Sequence, residues 1–393
     1  MRGIICVICF LYLSLSSLYS QESIDTVGIS FKPYTSLRGQ VAVFDKQMEL
    51  QENASRIGTE LNIKKGKIEF IAGLELQVNL FRGSTSFSAD ASLSEGFINI
   101  QTTQTQQVFG NRLGYLGFSI EKYGVITIGK QWSVYRDISS YTDRFNVFGA
   151  RASATFVGGT DGGASGTGRA DQSVIYRNKI GPLYFGAQIQ ARGSNNDQFI
   201  DGLGFSTQLK IAQDFFVGMA FNRAFLNEKT INNGQILGLS GNPTYITFGT
   251  KYIGNKIDFS VIYAMQENGD FTQGLYLDSE LNIMKPTVVF DAKGIEVFGK
   301  YKFNKLSILI GYNLYVPAEG RISKVFDQSI IDHRFKRNDF ITGLSYMPIK
   351  YIQFYSEQRV SFGKNSIGEK EKSVFTLGMK IDLSKSFNKA VLL

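Results

Sequence analysis

Residues Phe109–Asp137 read FGNRLGYLGFSIEKYGVITIGKQWSVYRD, and Gly166–Lys179 read GTGRADQSVIYRNK. Two alternating runs, Asn111–Glu121 and Gly124–Val134, meet at the tight turn Glu121-Lys122-Tyr123-Gly124. That predicts a β-hairpin, with each arm near the ~9–11 residues that cross a tilted bilayer. The excursion Arg136–Ala170 is too long for an ordinary hairpin connection and marks a functional loop. The strand pattern resumes at Asp171–Lys179.

The same pattern extends through the chain. Candidate strands are Phe31–Phe44, Ser55–Lys64, Lys67–Phe81, Asn111–Glu121, Gly124–Val134, Asp171–Lys179, Leu183–Arg192 and Gly202–Ile211. Eight more follow: Phe215–Phe225, Thr244–Ile253, Lys256–Gln266, Gly294–Phe303, Leu306–Val316, Asp339–Met347, Tyr351–Phe362 and Ser373–Leu383. Connections at one end are tight, as at Lys65-Gly66, Gly254-Asn255 and Asn304-Lys305. At the other end most are long and polar: Arg82–Gly110, Arg136–Ala170, Leu226–Pro243, Glu267–Lys293 and Pro317–Asn338. A soluble sandwich has no reason to sort its loops in this way, whereas an outer-membrane barrel does.

Within strands the two faces separate. Leu306, Ile308, Ile310, Tyr312, Leu314 and Val316 oppose Ser307, Leu309, Gly311, Asn313 and Tyr315. Lipid accepts only the apolar set, so the other set faces a wet interior. A sheet in hydrocarbon must close on itself, because each unpaired backbone group costs several kcal/mol. The expected fold is therefore all-β: an antiparallel transmembrane β-barrel of sixteen strands, wide enough for an aqueous channel. Aromatics near the turns (Tyr123, Tyr184, Phe215, Tyr252, Phe303 and Tyr351) suit an interfacial girdle.

Composition agrees. With 32 Phe, 19 Tyr, 41 Gly and only 6 Pro, the chain favours strands and tight turns over helices. Met1–Ser20 has a short charged start, an apolar run from Ile4 to Leu15 and a small-residue end, which describes a secretory signal peptide cut after Ser20. The apolar run is short for a membrane anchor. Both cysteines, Cys6 and Cys9, lie in this leader, excluding disulfides, zinc–thiolate sites and thiol catalysis from the mature chain. Loss of the leader removes one Arg and no acid, taking the net charge from +8 to +7. These basic residues are dispersed, and an exported chain rarely meets nucleic acid, so no nucleic-acid partner is expected. The expected organisation is a leader at 1–20, a barrel at 21–383 and a tail at 384–393.

RLGYLGF, YGVITIGKQW, YTDRF and GRADQSVIYRN together resemble the general diffusion porins of the Gram-negative outer membrane. Their pattern is Arg-x-Ala-Tyr-x-Gly, then Tyr-Gly-x-x-x-x-Gly-Arg, a pore-folding loop, and Tyr-Arg-Asn. Here Gly114 stands for the usual Ala and Lys130 for the usual Arg. The resemblance is sharpest over Phe109–Lys179 and Ser55–Glu60, and topological elsewhere. It implies a homotrimer in the cell outer membrane, contacting lipid and lipopolysaccharide, that passes small hydrophilic solutes and ions without a cofactor. It also implies a third loop folded into the pore and a basic wall of Arg56, Arg112 and Arg169 opposite it. Arg38, on the inward parity of its strand, joins that wall where Gln40 replaces a customary lysine. On the loop, Asp143 matches one expected acid, but Val147 occupies the position of the next. Arg144 and Arg151 add positive charge, and Asp161 sits in the Gly-rich run, so the constriction is expected to favour anions. The family's usual terminal aromatic is displaced here, since Ser384–Leu393 extends past the last strand.

Rival functions fit less well. Gly158–Gly168 lacks the Gly-Lys-Ser/Thr ending of a phosphate loop. The sole histidine, His333, lies in a loop without a nucleophile motif, which argues against a lipase or protease barrel. A substrate-selective channel for phosphate or sugar acids ranks second, and a structural or adhesive barrel third.

Overall fold

The computed structural model describes residues 26–79, 86–87, 100–101, 109–153, 165–193, 199–235, 238–271, 276–278, 283–285, 289–318, 332–365 and 368–392. The leader, Asp161, and most of the loops 82–110 and 317–338 lie outside those residues.

Sixteen wall strands form a closed antiparallel barrel. They are β1 Thr26–Phe44, β2 in two segments (Gln47–Glu52 and Arg56–Lys65), β3 Ile68–Val78, β4 Phe109–Ile120, β5 Gly124–Trp132 and β6 Arg169–Ile180. The wall continues with β7 Leu183–Gln190, β8 Gly202–Ala212, β9 Phe215–Ala224, β10 Thr244–Ile253 and β11 Ile257–Phe271. It ends with β12 Val289–Phe303, β13 Leu306–Pro317, β14 Arg337–Ile349, β15 Ile352–Ser361 and β16, also in two segments (Val374–Ser384 and Phe387–Leu392). Each strand pairs with its sequence neighbours, and β1 pairs with β16 to close the ring. Closure leaves no sheet edge, which is the condition for a sheet in hydrocarbon.

The first long-loop-side connection is the exception to the sorting, being a two-residue turn. Asp45 and Lys46 both have positive φ, 46° and 63°, as a type I′ hairpin requires. β2 breaks at Ala54, whose φ of 51° takes it out of the strand conformation.

Side-chain exposure follows the alternation. Phe70, Leu116, Ile308, Ile310, Phe354 and Leu377 are exposed on the outer surface, while Thr247, Asp258, Glu296, Asn313 and Glu357 are buried inside. An apolar outside and polar inside reverses the arrangement of a water-soluble barrel and suits a lipid surround. Near the turns Tyr123, Tyr252, Phe303 and Tyr351 are exposed, as a girdle requires. Tyr184 departs from that expectation. It shares inward parity with the buried Gln188 and Gln190, opposite Gln208 of β8.

The last ten residues also depart from the sequence reading. Phe387–Leu392 resumes the ladder and pairs in antiparallel register with Phe31–Thr26. Without it, the start of β1 would have an unpaired edge. The Phe31 and Phe387 rings, 6.5 Å apart between centroids, pack across this extension. Deleting residues 385–392 is expected to lower the temperature at which the folded barrel loses its compact gel mobility. An unchanged transition would show that this part of the seam adds nothing to the barrel's stability.

Candidate functional site

The connection between β5 and β6 folds inward and crosses the barrel. Its described parts are residues 133–153 and 165–168. At its root Ser133 Oγ donates to the Thr167 carbonyl (2.8 Å), and Gln188 Oε1 accepts from the Val134 amide (3.1 Å). A single helical turn, α1 (Arg136–Ser139), then lies against β9 and β10. Ile138 seats against Gly218 and Gly249, where a Cβ would meet it. Those glycines hollow the wall to the depth of one side chain.

Beyond α1 the loop is tied to the far wall by carboxylates that project inward from it. Glu296 of β12 accepts from the Thr142 hydroxyl and from the Ala152 amide. Gly294 lets this approach happen, since a Cβ there would collide with the Ala152 carbonyl. Glu357 of β15 accepts from the amides of Asn146 (2.6 Å) and Val147 (2.9 Å) and from Asn146 Nδ2 (3.0 Å). Arg151 Nε reaches Asp339 (3.1 Å) and its Nη2 reaches Glu371 (2.7 Å), while Arg337 donates to the Arg151 carbonyl. Apolar contacts support these ties: Val147 and Phe148 pack with Ala42, Phe44, Ile341, Tyr355 and Val374. Phe145 meets Phe298 edge-on at 5.2 Å.

These positions account for several of the residues found along the loop. Val147 stands where an acid was expected because its side chain enters an apolar cluster and only its amide meets Glu357. Arg151, grouped with the pore-facing loop charges on sequence grounds, is wholly buried and is an anchor. Asp143 pairs within the loop with Arg136 at 2.7 Å. Arg144 remains partly exposed and reaches Asp258 of β11 at 3.4 Å.

Of the four wall arginines, three come together. Arg112 is the bulged residue of β4, between the pairs Glu75–Leu113 and Leu76–Asn111, and the bulge aims its side chain inward. Its Nε bonds Glu75 at 2.7 Å, and Arg56 approaches the same carboxylate at 3.9 Å. Tyr34 donates to the other oxygen of Glu75 at 3.0 Å. Arg38 donates to Ser36 Oγ at 2.9 Å and stands opposite Lys380 across the seam. Arg169 is set apart by β5. Its guanidinium lies 5.8 Å from the Trp132 ring centroid, and Arg136 of the loop lies 3.9 Å from the same ring.

Sequence reasoning left Glu75 out of the site although it shares two of the arginines, Arg56 and Arg112, and passed over Lys380 beside Arg38 and Lys251, Lys300 and Lys302 on the opposite wall. Strand parity alone would have put each of them inside. Lys380 and Lys302 pair with Asp382 (2.7 Å) and Asp258 (3.1 Å). Among the described residues, Lys251 and Lys300 have no ion pair. His333 is exposed beside Asp332, whose carboxyl Arg334 holds well below the usual carboxylate range. No group of His, Cys, Asp and Glu suited to a metal is present among the described residues.

A closed sixteen-stranded wall with its third outer connection folded across the interior is the architecture of an outer-membrane pore. Residues 35–324 match the model of the Gram-negative porin family, and the chain belongs to that family. Outer membrane porin F of Salmonella typhimurium is 26% identical over 207 residues, covering 49% of this chain and 52% of that protein. Outer membrane porin N of Escherichia coli is 25% identical, covering 57% and 61% respectively. The chain thus spans about half the length of the first of these curated relatives and somewhat more of the second. OmpF of Salmonella typhi, solved in complex with daunomycin, superposes with a TM-score of 0.67 at 17% identity, covering 90% of this chain and 97% of that one. The trimer form of OmpT from Vibrio cholerae gives 0.57 at 15% identity, covering 91% and 99%. These two structures share the fold.

Proposed function

We propose that this chain is an outer-membrane porin whose water-filled lumen lets small hydrophilic solutes and ions diffuse passively, with a preference for anions. The observation that carries the preference is the fate of the inward carboxylates. Glu296, Glu357, Asp339 and Glu371 hold the third loop, and Asp258 and Glu75 are paired with basic residues. Arg38, Lys251 and Lys300 are left to bias the lumen positive. Arg38, Arg56, Arg112 and Arg169 would form the basic side of the passage, with Asp143 and Arg144 on the loop facing it. A homotrimer within outer-membrane lipid and lipopolysaccharide is the expected setting, supported by a family relation in which a fold neighbour was solved as a trimer. The work of the pore is diffusion and not catalysis.

A more selective channel, for phosphate or sugar acids, is the second reading. It is favoured by two arginines, Arg56 and Arg112, that share a single carboxylate, Glu75, with Arg38 close to both of them. The test is single-channel conductance and zero-current potential of the purified protein in a planar bilayer under a salt gradient. Stepwise open channels with an anion-favouring potential are expected. Cation preference would overturn the charge reading and keep the pore. A folded barrel without conductance would overturn the channel itself.

A further inference from the structure

The inner wall of a water-filled barrel should be polar, yet near the short turns two rings break that rule. Tyr184 of β7 and Phe216 of β9 both lie on the inward set of their strands, with centroids 6.2 Å apart and planes tilted by 60°. Lysines flank them in direct register. Lys179 stands opposite Tyr184, its ammonium 4.9 Å from the ring centroid. Lys210 and Lys251 stand opposite Phe216 on either side, 5.9 Å and 5.1 Å from its ring. Lys251 also lies 4.0 Å from the ring of Tyr141, the loop residue whose hydroxyl donates to Gln208 at 2.7 Å.

Beside this strip, under the loop, is a cavity of about 450 Å³ lined in part by Asp137, Arg177, Lys179, Tyr184, Ser206 and Gln208. Asp137 is already engaged by both the Arg177 guanidinium and the Ser206 hydroxyl. Glu121 and Lys122 at the cavity's rim oppose one another in charge. The lysines are left as the groups able to receive a negative charge. Partly exposed rings on a wetted wall leave apolar surface in water that a ring-bearing solute could cover, and departures of this kind from the local pattern gather at functional sites.

We propose that the strip and its cavity form a binding station for solutes joining a flat ring to a negative group, aromatic carboxylates being the simplest. The inference rests on the channel reading above. The ring would stack on Phe216 or Tyr184, and the flexible lysine stems would swing their ammonium groups from those rings to the carboxylate. Acetate carries the same charge without the ring and supplies the comparison.

Benzoate and acetate are titrated into the folded, detergent-solubilised full chain by calorimetry, and conductance is recorded on the same preparation. Benzoate is expected to bind about tenfold more tightly than acetate, the scale of one aromatic contact. Phe216→Ser should bring benzoate down to the acetate level, and Lys251→Gln should weaken both anions. Tyr184→Ser serves as a second ring variant should Phe216→Ser fail to fold. Equal binding of the two anions by the unaltered protein, or an undiminished benzoate preference in a folded ring variant, overturns the proposal. Benzoate binding without conductance would uphold the station and overturn the channel reading. Conductance without a ring preference would do the reverse.

Discussion

A Glu296→Ala, Glu357→Ala double variant is expected to conduct more current per channel than the unaltered protein, with unstable open levels. The two carboxylates accept bonds from the Thr142 hydroxyl, the Asn146 side chain and the amides of Asn146, Val147 and Ala152. Removing them strands those donors away from water, at ~1–3 kcal/mol for each buried group left unsatisfied. The described parts of the loop contain no long helix or sheet pairing of their own to hold them in place, since α1 is a single turn of four residues. The loop's position depends on the wall, so it should loosen over residues 142–147 when these ties are lost, while Arg151 still holds its far end to Asp339 and Glu371. The wall strands keep their own ladder, and compact gel mobility before heating should show that the barrel survives. Unchanged conductance in a folded double variant would mean that the third loop does not set the narrowest point.

Arg38→Glu together with Arg56→Glu is expected to reverse the sign of the zero-current potential, turning an anion-preferring pore toward cations. Each substitution removes one positive charge and adds one negative; Arg56 sits beside Glu75, and both positions feel the Asp382 carboxylate. A unit charge 4 Å from a permeating ion matters by about 1 kcal/mol even in water, and by more beside protein. A change of several charges around one passage therefore exceeds thermal energy. Screening offers a check on the mechanism. At ~1 M salt the Debye length falls to about 3 Å, and the two proteins should converge. A potential that keeps its sign in low salt would show that ions do not pass near these arginines.

Much of this molecule was legible in its sequence because a membrane barrel obeys local rules. Ile308 and Ile310 face out and Gly311 and Asn313 face in simply because successive strand residues point to opposite faces. Arg38 and Arg56 point inward by the same alternation, whereas Arg112 does so only because a bulge shifts the register of its strand. Tyr184 shows the limit of a reading by residue type, since its parity puts it inside although its position near a turn suggested the lipid girdle.

By itself the sequence determined the strands, their faces, the closed wall and the family, because each depends on a short period and on the rule that lipid leaves no backbone group unpaired. The charge map of the passage was decided only by tertiary structure. Arg151 and Arg38 read alike as basic residues, yet one is buried against Asp339 and Glu371 while the other stands beside Lys380 on the lumen wall. Val147 and Glu357 are 210 residues apart and meet only because the loop crosses the barrel. A carboxylate's field depends on its partner, and those partners come from strands far apart in the chain.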